Sequence, residues 1–417
     1  MSTGAGAGLS NASDPLEAAQ AAAGAALERL GGGAADWGLV FATMAHRPQF
    51  AAILAEVQKT LGTATLSGCS GAGVLAGGEE LETGPGVAVL AVRSDRFTAQ
   101  AHLEAGGDDM GRVASRDLGR RVAPGGGLLV ALPDPFAIRP DVMLQEIDTL
   151  SPGTTVVGGA SASGPRALST FQFCGRNVAT RSLAALHLTG ALRTGIGITQ
   201  GCLPLGPACR VTRSAENLVL ELDGRPALAV LRDRLPAALA DSLERLGGHL
   251  FVGLPPDDGD VISPGEYLVR PLVAIDPDRG ALLLGGEVKE GRPMLIVLRD
   301  GAAARDDLKA MLERLSVAGV RRDWSFGMYF NCAGRGSALH GISGVDSAYI
   351  GRQFGDLPLV GFFGSAEIAP LRGRNQMFTY TGVLVLCGDG DGRDGDGRVA
   401  AAGGTGEGAS TGEGAAE

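Results

Sequence analysis

Short apolar runs of strand length alternate along the chain with stretches whose apolar positions recur every three or four residues. The runs include GLVFAT at 38–43, TATLSG at 63–68, GVAVLAV at 86–92, GLLVAL at 127–132, TTVVGG at 154–159, SLAALHL at 182–188, FGMYFNC at 326–332, LPLVGFF at 357–363 and TGVLVL at 381–386. Helical signals lie between them. Asp14-Pro15-Leu16-Glu17 supplies a capping carboxylate and a proline for the first turn, and the glycines at 31–33 end that helix. Pro48 opens a second helix and Gly62 closes it; further helices are predicted near 109–122, 140–150, 226–235, 303–316 and 345–354, the last with Ser343 as its cap. Many strands follow one another across turn-forming sequence such as Cys174-Gly175-Arg176-Asn177, without a helix between them. Hairpins mixed with helical crossovers predict an α/β (α+β) class, with mixed β-sheets covered by helices and two related halves packed together.

One pattern recurs three times: a helix, a short strand, a cluster of tiny residues, a loop and a second strand. Its copies are TATLSGCSGAG then GVAVLAV, TTVVGGASASG then SLAALHL, and LPLVGFFGSAE then FTYTGVLVL. Such a repeat would gather the glycine-rich strand ends, where backbone and small side chains can line a crevice.

At 417 residues the chain exceeds one ordinary core, and its 45% apolar and 20% charged residues suit a folded protein. The expected division is a flexible N-terminal segment with one helix (1–34), an N-terminal domain (35–205), a C-terminal domain (206–387) and a Gly- and acid-rich tail (388–417). Residues 1–13 are expected to be mobile, having almost nothing to bury. A net charge of −10 argues against nucleic acid, and the absence of an uninterrupted apolar run of membrane-spanning length argues against a membrane. Six cysteines without a CxxC or a short framework read as reduced thiols of a cytoplasmic protein.

Gly71-Ala72-Gly73-Val74-Leu75-Ala76 fits a GxGxxA dinucleotide fingerprint, but the GGEELETGPG that follows is broken by glycine and proline and offers no helix N-terminus to a pyrophosphate. Gly68-Cys69-Ser70-Gly71-Ala72 falls short of a GxSxG elbow for the same want of a helix. His46, His102, His187, His249 and His340 are scattered, which gives no metal set.

FNCAGRGSALHG, at 330–341, places Asn331, Cys332, Gly334, Arg335 and His340 in a loop between a strand and a helix, where binding residues concentrate. Its arginine suits a carboxylate fork. Glu367 in GFFGSAEIAP stands among apolar and tiny residues and needs a partner, either Arg335 or the ammonium of a ligand whose carboxylate Arg335 holds. Cys332 with His340 as base is an alternative, nucleophilic reading.

GCSGAG, TQGCLPLGP followed by VTRSAENLVLELDGRPAL, NCAGRG, GFFGSAEIAP and FTYTGVLVLC, in this order, resemble the FIST family, N- and C-terminal domains together, over about 35–387. The resemblance implies an intracellular sensory module for a small ligand such as an amino acid or organic acid; the chain is expected not to be an enzyme, with the Cys332 nucleophile as the alternative. It would signal through a separate partner protein such as a kinase or another output domain. It carries a ligand role onto Cys69, Cys332, Arg335 and Glu367, with Ser70, Gly159 and Gly364 as expected backbone contacts from the glycine clusters. Ala366 stands where the family has glycine, and Asn331 where serine is more usual. Some FIST proteins are described as haem-binding sensors of nitric oxide; here His340 or Cys332 would be the axial ligand, without a CxxCH signature.

Overall fold

The computed structural model describes residues 2–390 apart from 108, 123–125, 164–168, 237–238, 240–247, 257–258, 260, 264 and 318–323. The first unit runs β1 (Gly4–Ser10), α1 (Pro15–Arg29), β2 (Trp37–Thr43), α2 (Phe50–Leu61), β3 (Leu66–Gly71), a hairpin β4 (Val74–Ala76) and β5 (Glu79–Leu81), then β6 (Val87–Arg93). The second repeats that order: β7 (Phe97–Ala105), α3 (Arg112–Val122), β8 (Leu128–Pro133), α4 (Pro140–Leu150), β9 (Thr155–Ala160), the hairpin β10 (Gln172–Cys174) and β11 (Asn177–Ala179), then β12 (Ser182–Gly190).

The third unit opens with β13 (Leu192–Thr199) and is then interrupted. The insertion holds β14 (Cys202–Pro204), β15 (Cys209–Ala215), β16 (Leu218–Leu222), β17 (Arg225–Pro226), α5 (Ala227–Arg234), β18 (Leu250–Leu254), β19 (Leu268–Asp276), β20 (Ala281–Leu284) and β21 (Pro293–Arg299), one sheet with its own apolar cluster. The unit resumes with α6 (Gly301–Val317), β22 (Phe326–Cys332), α7 (Ser337–His340), α8 (Val345–Phe354), β23 (Leu359–Gly364), the hairpin β24 (Ala366–Leu371) and β25 (Arg374–Phe378), and β26 (Gly382–Asp389).

Each unit gives four strands in the same order, β1-β6-β2-β3, β7-β12-β8-β9 and β13-β26-β22-β23, and each hairpin crosses to another unit's sheet. Strands β10–β11 extend β3, β24–β25 extend β9, and β4–β5 extend β23, which closes a cycle of three exchanged arms. The equivalence is exact to the residue at one glycine. A Cβ on Gly68, Gly158 or Gly361 would stand 1.8, 2.1 or 1.9 Å from the carbonyl oxygen of Val40, Ala131 or Tyr329, so only glycine permits this approach. A ring of backbone hydrogen bonds joins the strand ends: Ala72 N to Phe363 O, Ala162 N to Ser70 O, and Ser365 N to Ala160 O. The three tiny-residue clusters of the sequence therefore meet. The sheets draw strands from both sides of residue 205, and their inner faces share one core that includes Phe41, Leu90, Leu132, Leu186, Phe330, Phe362 and Val385. Helix pairs α1–α2, α3–α4 and α6–α8 cover the outer faces.

The mixed sheets under helices follow the sequence expectation, and α3, α4, α5, α6 and α8 fall within three residues of the predicted spans. Asp14 Oδ1 accepts from Leu16 N at 3.0 Å and Glu17 N at 2.8 Å, as a capping carboxylate should. The N-terminal segment differs from expectation: residues 4–10 form an antiparallel edge strand on β6. The glycines that made it look structureless let it lie against α1, where a Cβ on Gly6 or Gly8 would meet Ala26 O at 2.0 Å or Ala22 O at 2.1 Å. Pro48 lies in a 3₁₀ turn, Met44–Gln49, and α2 begins after it. At the other end Gly388 and Asp389 still belong to β26, and Asp389 Oδ2 accepts from Thr3 N at 3.2 Å; residues 391–417 lie outside the described residues.

Candidate functional site

The loop between β22 and α8 is organised by Asp346, in the first turn of α8. Its buried carboxylate accepts from Tyr329 Oη at 2.8 Å, Asn331 Nδ2 at 3.2 Å, Arg335 Nε at 3.1 Å and Nη2 at 3.3 Å, and lies 3.0 Å from His340 Nε2. Arg335, 1% exposed, also donates through Nη1 to Thr199 O at 3.4 Å. Burial alone would raise the Asp346 pKa, but the Arg335 guanidinium and the converging donors outweigh it and hold the carboxyl well below its usual range. For Arg335, burial works against its charge and Asp346 more than restores it. The arginine picked out by the sequence thus has a fork partner inside the loop.

Ser343 does not cap α8. The exchanged arm of the first unit does: Glu80 accepts from Ser347 N at 2.8 Å and Gly344 N at 3.2 Å, placing a carboxylate at the helix N-terminus. Nearby, Glu82 accepts from Ser337 N at 2.9 Å and Ser337 Oγ at 2.6 Å.

Glu367 lies on the exchanged arm β24, opposite Gly159, and is fully buried. Its Oε2 accepts from Thr381 N at 3.2 Å and the Cys332 thiol lies beside the carboxyl, while Oε1 has no hydrogen-bond partner among the described residues. Burial pushes its pKa well above the usual carboxylate value, which favours the neutral acid. The Cys332 thiol is pushed up to about 12, by burial first and by Glu367 second.

Comparing the three arms shows what is unusual here. Val74, Gln172 and Glu367 are equivalent, each one step along the arm from the residue facing Gly361, Gly68 or Gly158. Val74 is apolar. Gln172 is fully paired: Nε2 donates to Ser161 Oγ at 2.7 Å and Thr170 Oγ1 at 3.2 Å, and Oε1 accepts from Ser182 Oγ at 3.1 Å. Packing at this position therefore does not require an acid, yet the third copy buries one with an oxygen unpaired, a costly arrangement.

Other buried polar atoms of the third unit and the insertion also lack partners. Asn331 Oδ1, Gln200 Oε1 and Arg299 Nη2 are buried without hydrogen bonds among the described residues. Arg299, the last residue of β21, lies 5.9 Å over the Tyr380 ring and near Cys332, Cys202 and the Arg335 guanidinium. Tyr380 packs on Phe251 with ring centroids 4.3 Å apart, and a Cβ on Gly334 would stand 3.2 Å from the Tyr380 ring and 3.7 Å from Cys332 Sγ. Gly334, Tyr380 and Arg299 are half-buried, so the niche has a side toward solvent.

The remaining sequence candidates serve packing. Cys69 is fully buried opposite Gln172, and Ser70 Oγ donates to Ala162 O at 3.2 Å. A Cβ on Gly159 or Gly364 would meet Ala366 O at 2.9 Å or Ala160 O at 2.7 Å, so these glycines bring backbones together and do not floor an open crevice. Asp346, Arg299 and Tyr380 were not singled out from sequence. The lone acid in the apolar start of GVDSAYI was a usable signal for Asp346; Arg299 comes from the insertion, and no local pattern points to it.

The sequence matches the FIST N domain over residues 36–225 and the FIST C domain over residues 227–370. The chain belongs to the FIST family. Uncharacterized proteins of Mycobacterium tuberculosis and Mycobacterium bovis are 34% identical over 382 residues and 31% identical over 384 residues, each match covering 91% of this chain and 98% of the relative. FIST domains are generally sensory domains of signal transduction, which suggests a small-molecule ligand. Neither expected axial ligand in this FIST chain fits haem: His340 is held through Nε2 by Asp346 with its side chain fully buried, and Cys332 is a buried neutral thiol. Among the described residues no cluster of His, Cys, Asp and Glu is arranged for a metal, and no helix is long and apolar enough to cross a membrane.

Proposed function

We propose that this FIST protein is a cytoplasmic, non-enzymatic sensory module that binds a small amino acid or organic acid beside Cys332 and Glu367 and signals through a separate partner protein. The observation that carries the reading is the unpaired Oε1 of Glu367, buried where the other two copies have a valine and a fully paired glutamine. In this arrangement Arg299 takes the ligand's carboxylate, and Glu367 takes its ammonium or hydroxyl. Arg335, committed to Asp346, holds the loop in place without touching the ligand.

A thermal-shift panel of amino acids and organic acids on the purified chain tests this. A ligand at a hundredfold excess over its Kd adds about 2.7 kcal/mol and moves the melting point visibly. Glu367→Gln and Arg299→Ala should each weaken the hit by about tenfold or more, the loss of a hydrogen bond to a charged group. A panel that shifts nothing, or variants that bind the hit like wild type, would sink the reading. A nucleophilic role for Cys332 is disfavoured because the thiolate is the reactive form and this thiol is pushed up to about 12. Maleimide labelling at neutral pH should reach half-buried Cys174 well before Cys332. A Soret band in freshly purified protein would instead favour the haem reading.

A further inference from the structure

A cleft of about 810 Å³ lies between α4, the start of β9, the turn of the β24–β25 arm and β19 of the insertion, within the size range of small-molecule sites. It is separate from the Cys332–Glu367 niche. Its walls carry two acids and two arginines, Asp141, Asp148, Arg270 and Arg374. The acids already have partners: Asp141 Oδ1 accepts from Arg139 Nε at 3.0 Å, and Asp148 Oδ1 from Asn375 Nδ2 at 2.6 Å. Asn375 also donates to Thr154 O at 3.0 Å and accepts from Val156 N at 2.8 Å, which fixes the arm against β9 and makes this wall firm.

The arginines are different. Neither Arg270 nor Arg374 forms an ion pair at contact distance among the described residues, although Arg374 is near enough to Asp148 to oppose the effect of burial on that carboxyl, and Arg270 donates only from Nη1 to its neighbour Val269 O at 2.9 Å. Burial weakens the hold of Arg270 on its proton, with Asp141 opposing from a distance, so this guanidinium gains from an added negative charge. Two guanidinium groups of free hydrogen-bonding capacity on one cleft form a receptor for an oxyanion.

We infer that the cleft is a second binding site, for a small anionic metabolite whose carboxylate or phosphate is held between Arg270 and Arg374. Pro370 lies in its wall, three positions along β24 from Glu367, so one arm borders both sites.

Isothermal titration of the full chain with citrate and, separately, with adenosine triphosphate tests the inference and distinguishes the two oxyanion chemistries. At least one should bind, and its affinity should fall as sodium chloride is raised. Arg374→Ala, at an exposed position, should fold normally and weaken binding by about tenfold, and Arg270→Gln should do likewise. Glu367→Gln should leave this binding unchanged, which separates its failure from failure of the niche. Overturning results are that neither anion binds at millimolar concentration, or that folded Arg374→Ala binds as wild type does.

Discussion

At the scale of single residues, the sequence showed that Arg335 and Glu367 were special but not what each one meets. An arginine and an acid in separate loops of small residues suggested a mutual pair or a shared guest. The actual partner of Arg335, Asp346, sits eleven positions ahead across a turn that includes Gly336 at φ +62° and Gly341 at φ +79°, a path that no periodicity encodes. Arg335→Ala would leave Asp346 charged and buried without its fork, and losing one partner of such a pair costs about 3–5 kcal/mol. The expected result is a large loss of urea stability, so a binding defect in this variant would not by itself locate the ligand. Glu367 has the opposite electrostatic character. Its folded pKa lies above the unfolded value of about 4.3, so between the two the native state binds more protons and stability rises as pH falls. Wild type should therefore gain up to about 1.4 kcal/mol per pH unit over Glu367→Gln on going from pH 7 toward pH 5. Urea melts of both proteins across that range check it; parallel profiles would mean that Glu367 is already ionised.

At the scale of elements, strand and helix positions were legible because burial imposes periods that survive in the sequence, and Gly62, Asp14 and the paired turns marked the ends. What was not legible depended on partners distant in the chain. Residues 4–10 look solvated by composition, yet their lack of side chains is what lets them approach the alanine face of α1, where Ala18, Ala22 and Ala26 are fully buried. Gly8→Ala would put a methyl about where Ala22 O now lies, at 2.1 Å. The backbone must move, and overpacking of this kind costs about 1–3 kcal/mol. The measurement is a denaturant midpoint compared with that of Gly24→Ala, where nothing lies within 4 Å of the added methyl and helix propensity should stabilise by up to about 1 kcal/mol. The exchanged hairpins escaped notice for a related reason. Strands of three residues such as β4 and β10 carry too few positions to show alternation, and their sheet is supplied by another unit.

At the scale of the molecule, the threefold repeat separates a shared scaffold from an inserted sheet. Three units exchange arms around one shared core, while β14–β21 form a sheet with a distinct apolar cluster, inserted where Gly201 O accepts from Asp300 N at 3.4 Å. The chain enters and leaves the insertion at nearly one point, so its removal asks for only a short linker and a small closure entropy. Yet the insertion contributes Arg299 and Phe251 to the niche and Arg270 to the cleft, and it touches the third unit's arm through Glu266 to Arg372 at 2.8 Å and Val269 O to Thr379 Oγ1 at 2.9 Å. Replacing residues 203–298 with a short glycine-serine linker should therefore leave a cooperatively melting three-unit core with its far-ultraviolet circular dichroism largely kept. The shortened protein should lose the thermal response to a ligand of the niche, because Tyr380 would no longer pack against Phe251 and Arg299 would have left its strand. Calorimetry of the shortened protein with and without the hit distinguishes the outcomes: a folded core that still responds would place recognition within the three units, and a core that does not fold would make the insertion part of the scaffold.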